Sequence, residues 1–405
     1  MTCSSLPESK LLHSTSIRTN MFQNIIFAIL LSTLLFSSCR FDNQAESNRE
    51  SNILHIKEVG EVKMPLDSLT GFYNNIYYDG SEGKLYLLNE ETATIYIFNY
   101  EERKVVNKIQ LSLEGPNSVG ENLYKAGILA QNDTLFVLNY MTRQLCMLNL
   151  NGEVLKRFEL WAQDELNDPY IVASSDRMPV KKGKLIFFAS ENPFQHKDQT
   201  KINTVVRLDI STGEVVPCVN RPSIYNEGYF GNYYKLKNFL FSNPNSTSLF
   251  CAFGASPCIY ELNDSCNIID TLCFPHTITD DISPLDPNPL APIVIEKLDE
   301  YEATTPSFAQ FFHDNVNDVY YRIISHGMSK EAFRTNDRRK GPWSFSLVAY
   351  NKDRQKISEF MFNENEYAPD MAFINKYGLH MAKLSSYQED ENHLTFGVFN
   401  LVGNE

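Results

Sequence analysis

The chain has 405 residues, of which 43% are hydrophobic and 21% are charged, and it contains 27 Phe and 21 Tyr. This composition excludes an intrinsically disordered protein, because disordered chains are poor in aromatic side chains. The formal net charge of -14 would oppose binding to a polyphosphate backbone, so nucleic acid is excluded as an expected partner.

The N-terminal region contains an apolar segment of twelve residues, Ile25 to Phe36, which is followed by two serines and Cys39. A transmembrane helix needs about 20 apolar residues, whereas the apolar part of a secretory signal has about 7 to 15. Lys10 and Arg18 supply a positive flank. The segment resembles a bacterial lipoprotein signal, which implies that Cys39 is lipidated. Signal cleavage without lipidation is the alternative.

This interpretation divides the chain into a signal peptide at residues 1–38, a lipidated flexible tether at residues 39–52 and a folded domain at residues 53–405. The tether is predicted from its very low apolar content. We expect the protein in the bacterial cell envelope, held at the outer membrane through the lipid alone. The sequence leaves open which side of that membrane it faces, and whether the chain starts at Met1 or Met21.

The folded domain contains many short runs rich in aromatic and β-branched residues, separated by clusters of Asn, Asp and Gly, which predicts an all-β fold. Three similar runs begin at Lys84, Thr134 and Lys184, at intervals of fifty residues. Each run has one predicted strand before it and two after it. Repeats of about 40 to 50 residues with four strands each are typical of a β-propeller.

The predicted strands form five units of four, and a last group of three strands at the C-terminus. The apolar segment Ile53 to Leu66 precedes the first unit and is predicted to supply the missing strand, which closes the ring and removes exposed sheet edges. We therefore predict a six-bladed β-propeller of four-stranded antiparallel blades, closed by the N-terminal strand. Seven blades and a pair of β-sandwiches are the alternatives.

The segment Glu114 to Gly120, with the sequence EGPNSVG, joins the first two predicted blades. Together with the lipoprotein signal and the paired strand-turn-strand units, it resembles the TolB-like six-bladed propeller lipoproteins of gut-type bacteria, a family classed as a domain of unknown function. The resemblance covers residues 53–405 and implies the fold. It implies no activity or site residue, because the family has no assigned chemistry. Gly115 and Pro116 also have a structural explanation as a turn.

The predicted connections are unequal in length. Those between second and third strands, and those between blades, are often long, and both kinds lie on the same side of a four-stranded meander. Long loops on a rigid scaffold often carry binding sites. The candidate ligand-binding residues on these loops are Asn117, Tyr140, Arg143, His196, Tyr233, Tyr234, His326, Arg338 and Trp343. Packing of the loops onto the disc is the alternative role for the aromatic residues.

No catalytic, nucleotide-binding or metal-binding motif occurs in the sequence, and the eight His residues are scattered singly. We therefore expect no cofactor and no metal, and a binding or scaffolding module in preference to an enzyme. The expected partner is a glycan, a peptide or an envelope protein. The alternatives are a hydrolase or lyase with carboxylates or calcium in the central funnel, and a structural accessory of an outer-membrane assembly.

Six Cys residues follow Cys39, and four of them lie in one predicted blade. A turn at Gly254 would place Cys251 opposite Cys258 on neighbouring strands. Antiparallel neighbours have Cα atoms about 4.5 to 5.5 Å apart, which is compatible with a disulfide bond. The sequence therefore predicts a Cys251–Cys258 disulfide, with buried free thiols as the alternative.

Overall fold

The fold was analysed in a computed structural model. It describes residues 54–67, 76–123, 126–139, 141–142, 144–160, 180–181, 183–188, 196–231, 235, 238–242, 249–275, 282–292, 294–335, 344–363 and 365–403. The chain divides into two compact units, Met1–Asn52 and Ile53–Glu405, and all the described residues belong to the second.

The described strands form six antiparallel sheets of four strands each, and these sheets are the blades of a β-propeller. Blade 1 contains β2 (Ile76–Asp79), β3 (Lys84–Asn89), β4 (Thr94–Asn99) and β5 (Lys104–Gln110). Blade 2 contains β6 (Gly127–Gln131), β7 (Thr134–Asn139), β8 (Gln144–Asn149) and β9 (Val154–Glu159). Blade 3 contains β10 (Val180–Lys181), β11 (Lys184–Phe188), β12 (Val205–Asp209) and β13 (Val215–Pro217).

The second half of the ring repeats this order. Blade 4 contains β14 (Asn238–Ser242), β15 (Leu249–Phe253), β16 (Cys258–Leu262) and β17 (Ile268–Cys273). Blade 5 contains β18 (Ser307–Asp314), β19 (Val319–Ser325), β20 (Phe345–Tyr350) and β21 (Lys356–Met361). Blade 6 contains β22 (Tyr367–Asn375), β23 (Gly378–Lys383), β24 (His393–Val402) and, as its fourth strand, β1 (His55–Pro65).

The ring is closed by pairing between the two ends of the domain. Strand β1 runs antiparallel to β24, with a register from His55 opposite Val402 to Pro65 opposite His393. A β-bulge between Glu58 and Gly60 interrupts the register. This pairing confirms the prediction of six four-stranded blades closed by the N-terminal strand. It also excludes the alternatives of seven blades and two sandwiches.

In blades 1, 2, 4, 5 and 6, the fourth strand is the most exposed strand of its blade. The middle strand β20 is buried at all six positions, which explains why its sequence FSLVAY is apolar without alternation. The fourth strand β17 is exposed at five of six positions, with Ile269 59% exposed. First strands of neighbouring blades contact each other, as β18 and β22 do. The apolar core therefore lies between neighbouring blades, and the fourth strands contribute least to it.

The topology separates the connections into two faces. Turns between first and second strands and between third and fourth strands lie on one side of the disc. Connections between second and third strands, and between blades, lie on the other side, which we call the long-loop face. The described parts of the long connections, including residues 111–123, 196–204, 218–231, 274–275, 282–292 and 294–306, belong to this face. The uneven loop lengths in the sequence therefore do mark one face.

Three short helices lie in the described parts of these connections, where the sequence predicts only loops. They are α1 (Ile295–Thr304), α2 (Lys330–Thr335) and α3 (Leu384–Glu389), and two 3-10 turns occur at Gln199–Lys201 and Ser223–Glu227. Helix α1 has the sequence IEKLDEYEAT, in which Glu, Lys, Leu and Ala all have high helix propensity. Among the helices that the structure describes, none has the length and apolar character needed to cross a membrane.

The predicted Cys251–Cys258 disulfide is wrong. Cys258 is bonded to Cys273, and their Cα atoms are 4.0 Å apart, whereas Cys251 is a buried free thiol. The strand register gives the reason, because Cys251 lies opposite Tyr260 and Cys258 lies opposite Cys273. The turn at residues 254–257 is longer than the predicted pairing requires, and the disulfide joins the third and fourth strands of blade 4 instead.

Aromatic packing joins blade 6 to blade 1 next to the ring closure. Tyr78 stacks on Phe373 at 4.7 Å between ring centroids, and Phe373 stacks on His380 at 4.9 Å. The His380 side chain is fully buried, with Nδ1 3.0 Å from the carbonyl oxygen of Gly378. Within the described part of the chain, its Nε2 has no hydrogen-bond partner. Protonation of Nε2 would therefore bury a charged N–H without an acceptor.

Acidification is predicted to destabilise the domain through His380. Burial lowers the pKa of this imidazole from 6.5 to about 4, and the bond to the Gly378 carbonyl offsets only part of that effect. The unfolded chain binds this proton near pH 6.5, whereas the folded chain binds it only near pH 4. The stability of the folded domain relative to the unfolded chain is therefore unaffected by His380 above pH 6.5, and it decreases as pH falls from 6.5 towards 4. We expect a loss of about 3 kcal/mol in the free energy of unfolding.

The measurement is urea unfolding between pH 4 and pH 7.5, with His380→Phe as the matched variant, because Phe keeps an aromatic ring but cannot titrate. The variant should show a shallower dependence of the unfolding free energy on pH than the wild type. Equal slopes for the two proteins would contradict the assignment to His380.

Ring closure also predicts the effect of truncating β1. Met64 is fully buried and packs between blades 6 and 1, whereas Met361 at the end of β21 is 57% exposed. Met64→Ala should lower the free energy of unfolding by about 2 to 5 kcal/mol, because it leaves a cavity in the core. The control Met361→Ala should change it by less than about 0.5 kcal/mol. Chemical denaturation of both variants tests this, and equal effects would contradict it.

Candidate functional site

Two β-bulges interrupt the innermost strands of adjacent blades. The pairing of β18 with β19 shifts register between Phe308 and Phe311, and the pairing of β22 with β23 shifts between Ala368 and Ala372. Both bulges lie near the start of the first strand, which places them towards the long-loop face. Bulges occur preferentially next to functional sites, because they redirect side chains and end regular pairing.

The residues around these bulges line a cavity of about 230 Å³, which we call the bulge cavity. It is lined by Phe239, Glu302, Ser307, Phe308, Ala309, Ile323, Ser325, Phe345, Asn365, Tyr367, Ala368, Pro369, Asp370 and Leu384. The strand residues among them come from the starts of first and third strands or the ends of second strands. All of those positions lie towards the long-loop face, and they belong to blades 4, 5 and 6.

The wall of the bulge cavity contains four aromatic side chains and two carboxylates. Glu302 is supplied by helix α1, and Asp370 by the bulge of β22. Asp370 is exposed, whereas the Glu302 side chain is only 13% exposed. The cavity therefore combines apolar surface with a few polar groups, as sites for small ligands usually do.

A buried lysine fixes the position of Glu302. The Lys235 side chain has no exposed surface, its Nζ lies 3.5 Å from Oε2 of Glu302, and it lies 4.5 Å from the centre of the Tyr301 ring. Burial lowers the pKa of the Lys235 ammonium, and the Glu302 carboxylate offsets part of that effect. The ion pair joins helix α1 to the connection that leads into blade 4.

The backbone beside Glu302 accepts only glycine. Gly231 has a φ of +81°, and a Cβ atom added there would lie 2.1 Å from Oε1 of Glu302. Any other residue would meet both an unfavourable backbone conformation and a steric clash with the carboxylate. Gly231 therefore allows the connection from blade 3 to blade 4 to pass directly over this side chain.

A buried arginine supports the opposite wall. The Arg322 guanidinium lies 4.4 Å from the centre of the Phe308 ring and donates to the carbonyl oxygens of Ser256 at 2.9 Å and Pro257 at 3.0 Å. Burial lowers its pKa to about 10, so the group stays protonated at neutral pH. Arg322 thus ties blade 5 to the turn between β15 and β16 of blade 4 and holds Phe308 in the wall.

The third wall is fixed by residues of the closing strand. The Tyr367 hydroxyl donates to Oε2 of Glu58 at 2.7 Å, and Nζ of Lys383 lies 5.3 Å from the centre of the Tyr367 ring. Lys383 also pairs with Glu58 at 2.9 Å and with Glu61 at 2.7 Å. Because Glu58 and Glu61 belong to β1, ring closure and the cavity wall depend on the same side chains.

The residues predicted from the sequence lie beside this site or away from it. His326 follows the cavity residue Ser325, and its Nε2 lies 2.9 Å from the hydroxyl of buried Ser346. Asn117 accepts a hydrogen bond from the backbone of Val154 at 3.2 Å, so it attaches the first inter-blade segment to the outer strand of blade 2. Neither residue lines the cavity.

His196 is exposed on the connection within blade 3, and its carbonyl oxygen accepts a hydrogen bond from Nε2 of Gln199 at 2.7 Å. The remaining candidates fall outside the described residues, and so does the lipidation residue. They are Tyr140, Arg143, Tyr233, Tyr234, Arg338, Trp343 and Cys39. Their role as ligand-binding or lipidation residues stays a prediction.

Sequence reasoning missed every residue that lines the bulge cavity. One signal was present, since Pro369 lies next to a predicted strand, and proline within a sheet is confined to edges, strand starts and bulges. The propensity of Ile295–Thr304 for helix was a second signal. No signal could identify Lys235 or Arg322, because their contacts join residues that are 67 and 65 positions apart.

Fold and site together define a class, which is the six-bladed β-propeller with a pocket on its long-loop face. The chain belongs to the family described as Domain of unknown function (DUF4221), whose model matches residues 51–361. The crystal structure of a DUF4221 member from Bacteroides vulgatus is similar with a TM-score of 0.72 and 19% sequence identity, covering 87% of this chain and 99% of that chain. At this identity the similarity shows the fold alone.

Two further solved structures are more distant. A protein from Bacteroides fragilis that is described as exported has a TM-score of 0.48 and 11% identity, over 88% of this chain and 97% of that chain. A catalytically inactive virginiamycin B lyase from Staphylococcus aureus, in complex with quinupristin, has a TM-score of 0.43 and 10% identity, over 86% of this chain and 100% of that chain. No curated protein sequence matches the chain.

Helix α1 allows a buried and an exposed ion pair to be compared directly. Glu302 pairs with Lys235, whose side chain is 0% exposed, and Glu300 pairs at 3.8 Å with Lys330, whose side chain is 72% exposed. Lys235→Met should lower the free energy of unfolding by about 3 kcal/mol, because a largely buried carboxylate loses its counter-charge. Lys330→Met should cost less than about 1 kcal/mol. Urea unfolding of the two variants tests this, and a cost for Lys235→Met no larger than for the control would contradict it.

Proposed function

We propose that this protein is an exported, lipid-anchored binding module that recognises a glycan, peptide or envelope protein through its long-loop face, with the bulge cavity as the contact point. The observation that carries this proposal is the cavity itself. It lies where two inner strands depart from regular pairing, and four aromatic rings and two carboxylates line it. A departure from regular geometry that is built into two adjacent blades is typical of a functional site.

The rigidity of the cavity supports a binding role. Arg322, Lys235 and Lys383 each contact an aromatic ring and polar groups of other elements, so the walls are held before a ligand arrives. A preformed site loses less conformational entropy on binding, which favours affinity. Within the described residues, no group of three or more His, Cys, Asp or Glu side chains is placed to hold a metal ion.

Export and anchoring are supported by the sequence, because Ile25 to Phe36 and Cys39 have the pattern of a lipoprotein signal. In this proposal Cys39 carries the lipid, residues 40–52 form the tether, and the TolB-like propeller faces its partner from the outer membrane. Stable anchoring requires more than one acyl chain.

Filling the bulge cavity should abolish recognition. Ala309 lies in the bulge of β18 and lines the cavity, so Ala309→Trp places a large ring in it. The matched control is Val316→Trp in the turn between β18 and β19, because Val316 is 71% exposed on the opposite face of the same blade. We expect glycan arrays and pull-downs from envelope extracts to identify a ligand for the wild type, with at least tenfold weaker binding by Ala309→Trp and unchanged binding by Val316→Trp.

If Ala309→Trp and Val316→Trp bind the ligand equally well, the bulge cavity is not the contact point. Absence of any retained ligand, together with turnover of a substrate by the wild type, would overturn the binding function in favour of a hydrolase or lyase. Both variants should unfold cooperatively, and their urea midpoints serve as the control for folding.

A further inference from the structure

The charged groups that line the bulge cavity have one sign. Among the described residues that line it, Glu302 and Asp370 are the charged ones, and this described part of the wall contains no lysine, arginine or histidine. They reach the cavity from different elements, helix α1 and strand β22, so the negative charge is distributed around the space. A cavity lined in this way disfavours an anionic ligand by like-charge repulsion.

Three cations lie close to the wall, and each is bound by protein groups. Lys235 pairs with Glu302 from a fully buried position, and Arg322 donates to the Ser256 and Pro257 carbonyl oxygens behind Phe308. Lys383 is paired with two carboxylates of β1. None of these cations lines the cavity. The carboxylates of Glu58 and Glu61, which pair with Lys383, also lie outside it. A ligand in the cavity therefore meets carboxylate oxygens and ring surfaces.

The volume of the bulge cavity limits the size of the ligand that it can hold. Pockets for drug-sized molecules have volumes of about 300 to 1,000 Å³, whereas the bulge cavity has about 230 Å³. It accommodates one group of about the size of an amino-acid side chain. The apolar part of such a group can pack on Phe239, Phe345 and Leu384, while its polar end reaches Asp370 at the exposed side.

We propose that the bulge cavity selects an organic cation, namely an ammonium group on an apolar body of about the size of an amino-acid side chain. The juxtaposition of Asp370, Glu302 and the aromatic wall carries this inference. Carboxylates attract the cation directly, and aromatic rings add to its binding when it is desolvated. This inference rests on the proposed binding function and specifies the part of the partner that enters the cavity.

The test uses three probes of similar shape and different charge: 2-phenylethylamine, 2-phenylethanol and 3-phenylpropanoate. Binding of each to the purified full-length protein is measured by isothermal titration calorimetry at neutral pH and low salt. We expect 2-phenylethylamine to bind at least tenfold more tightly than the alcohol, and the carboxylate to bind more weakly than either. Equal affinity for amine and alcohol, preference for the carboxylate, or no binding of the amine would overturn the inference.

Substitutions in the protein test whether the amine binds in the bulge cavity. Asp370→Asn removes the charge with little change in shape and should weaken amine binding about fivefold to tenfold while leaving alcohol binding unchanged. The matched control is Asp353→Asn, because Asp353 is exposed in the turn between β20 and β21 on the opposite face. Amine binding that survives both Asp370→Asn and Ala309→Trp would place the amine elsewhere and overturn the inference.

The outcomes separate this inference from the proposed function. If capture of a partner depends on the cavity but the amine has no advantage over the alcohol, the function stands and only the ligand class is wrong. If neither partner capture nor probe binding responds to Ala309→Trp, both are wrong.

Discussion

The pairing of β1 with β24 is the constraint on which the rest of the structure depends. A ring of blades leaves no open sheet edge at its closure only when the last blade is completed, and here the completing strand comes from the other end of the domain. The same strand carries Glu58 and Glu61, which bind Lys383 and Tyr367. The backbone amide of Ile56 also donates to the Ser358 hydroxyl of blade 5 at 3.0 Å. Closure therefore fixes a wall of the candidate site as well as the ring.

Closure of the ring also holds the blades in place around the two bulges of the innermost strands. The bulges of β18 and β22 omit ladder hydrogen bonds in the innermost strands of blades 5 and 6. Buried cations complete the support, because Lys235 and Arg322 each bridge elements that belong to different blades or connections. The result is a small cavity whose shape is set by the scaffold.

The long connections have two roles in this molecule. Many of their side chains pack the loops together: the Tyr225 hydroxyl donates to the carbonyl oxygen of Lys235, and the Tyr301 hydroxyl donates to that of Ser283 at 2.8 Å. Tyr229 forms a backbone bridge to Asp286 in the next inter-blade connection. The described tyrosines of these loops thus support packing, and the residues that line the cavity come mainly from strand ends. The aromatic loop residues predicted to bind a ligand, Tyr140, Tyr233, Tyr234 and Trp343, lie outside the described residues, so their role stays a prediction.

The sequence by itself determined the blade architecture. Short apolar runs at intervals of fifty residues, turn residues between them and an apolar segment before the first repeat are local properties, and they were sufficient for six blades, the closing strand and the face with long connections. Only the tertiary structure decided the disulfide partner of Cys258 and the residues of the bulge cavity. The disulfide depends on a turn length that shifts the strand register by two residues from the predicted pairing, so that Cys251 lies opposite Tyr260. The cavity depends on contacts such as that between Lys235 and Glu302. Such contacts join residues that are distant in the chain, and no local pattern encodes which of them meet.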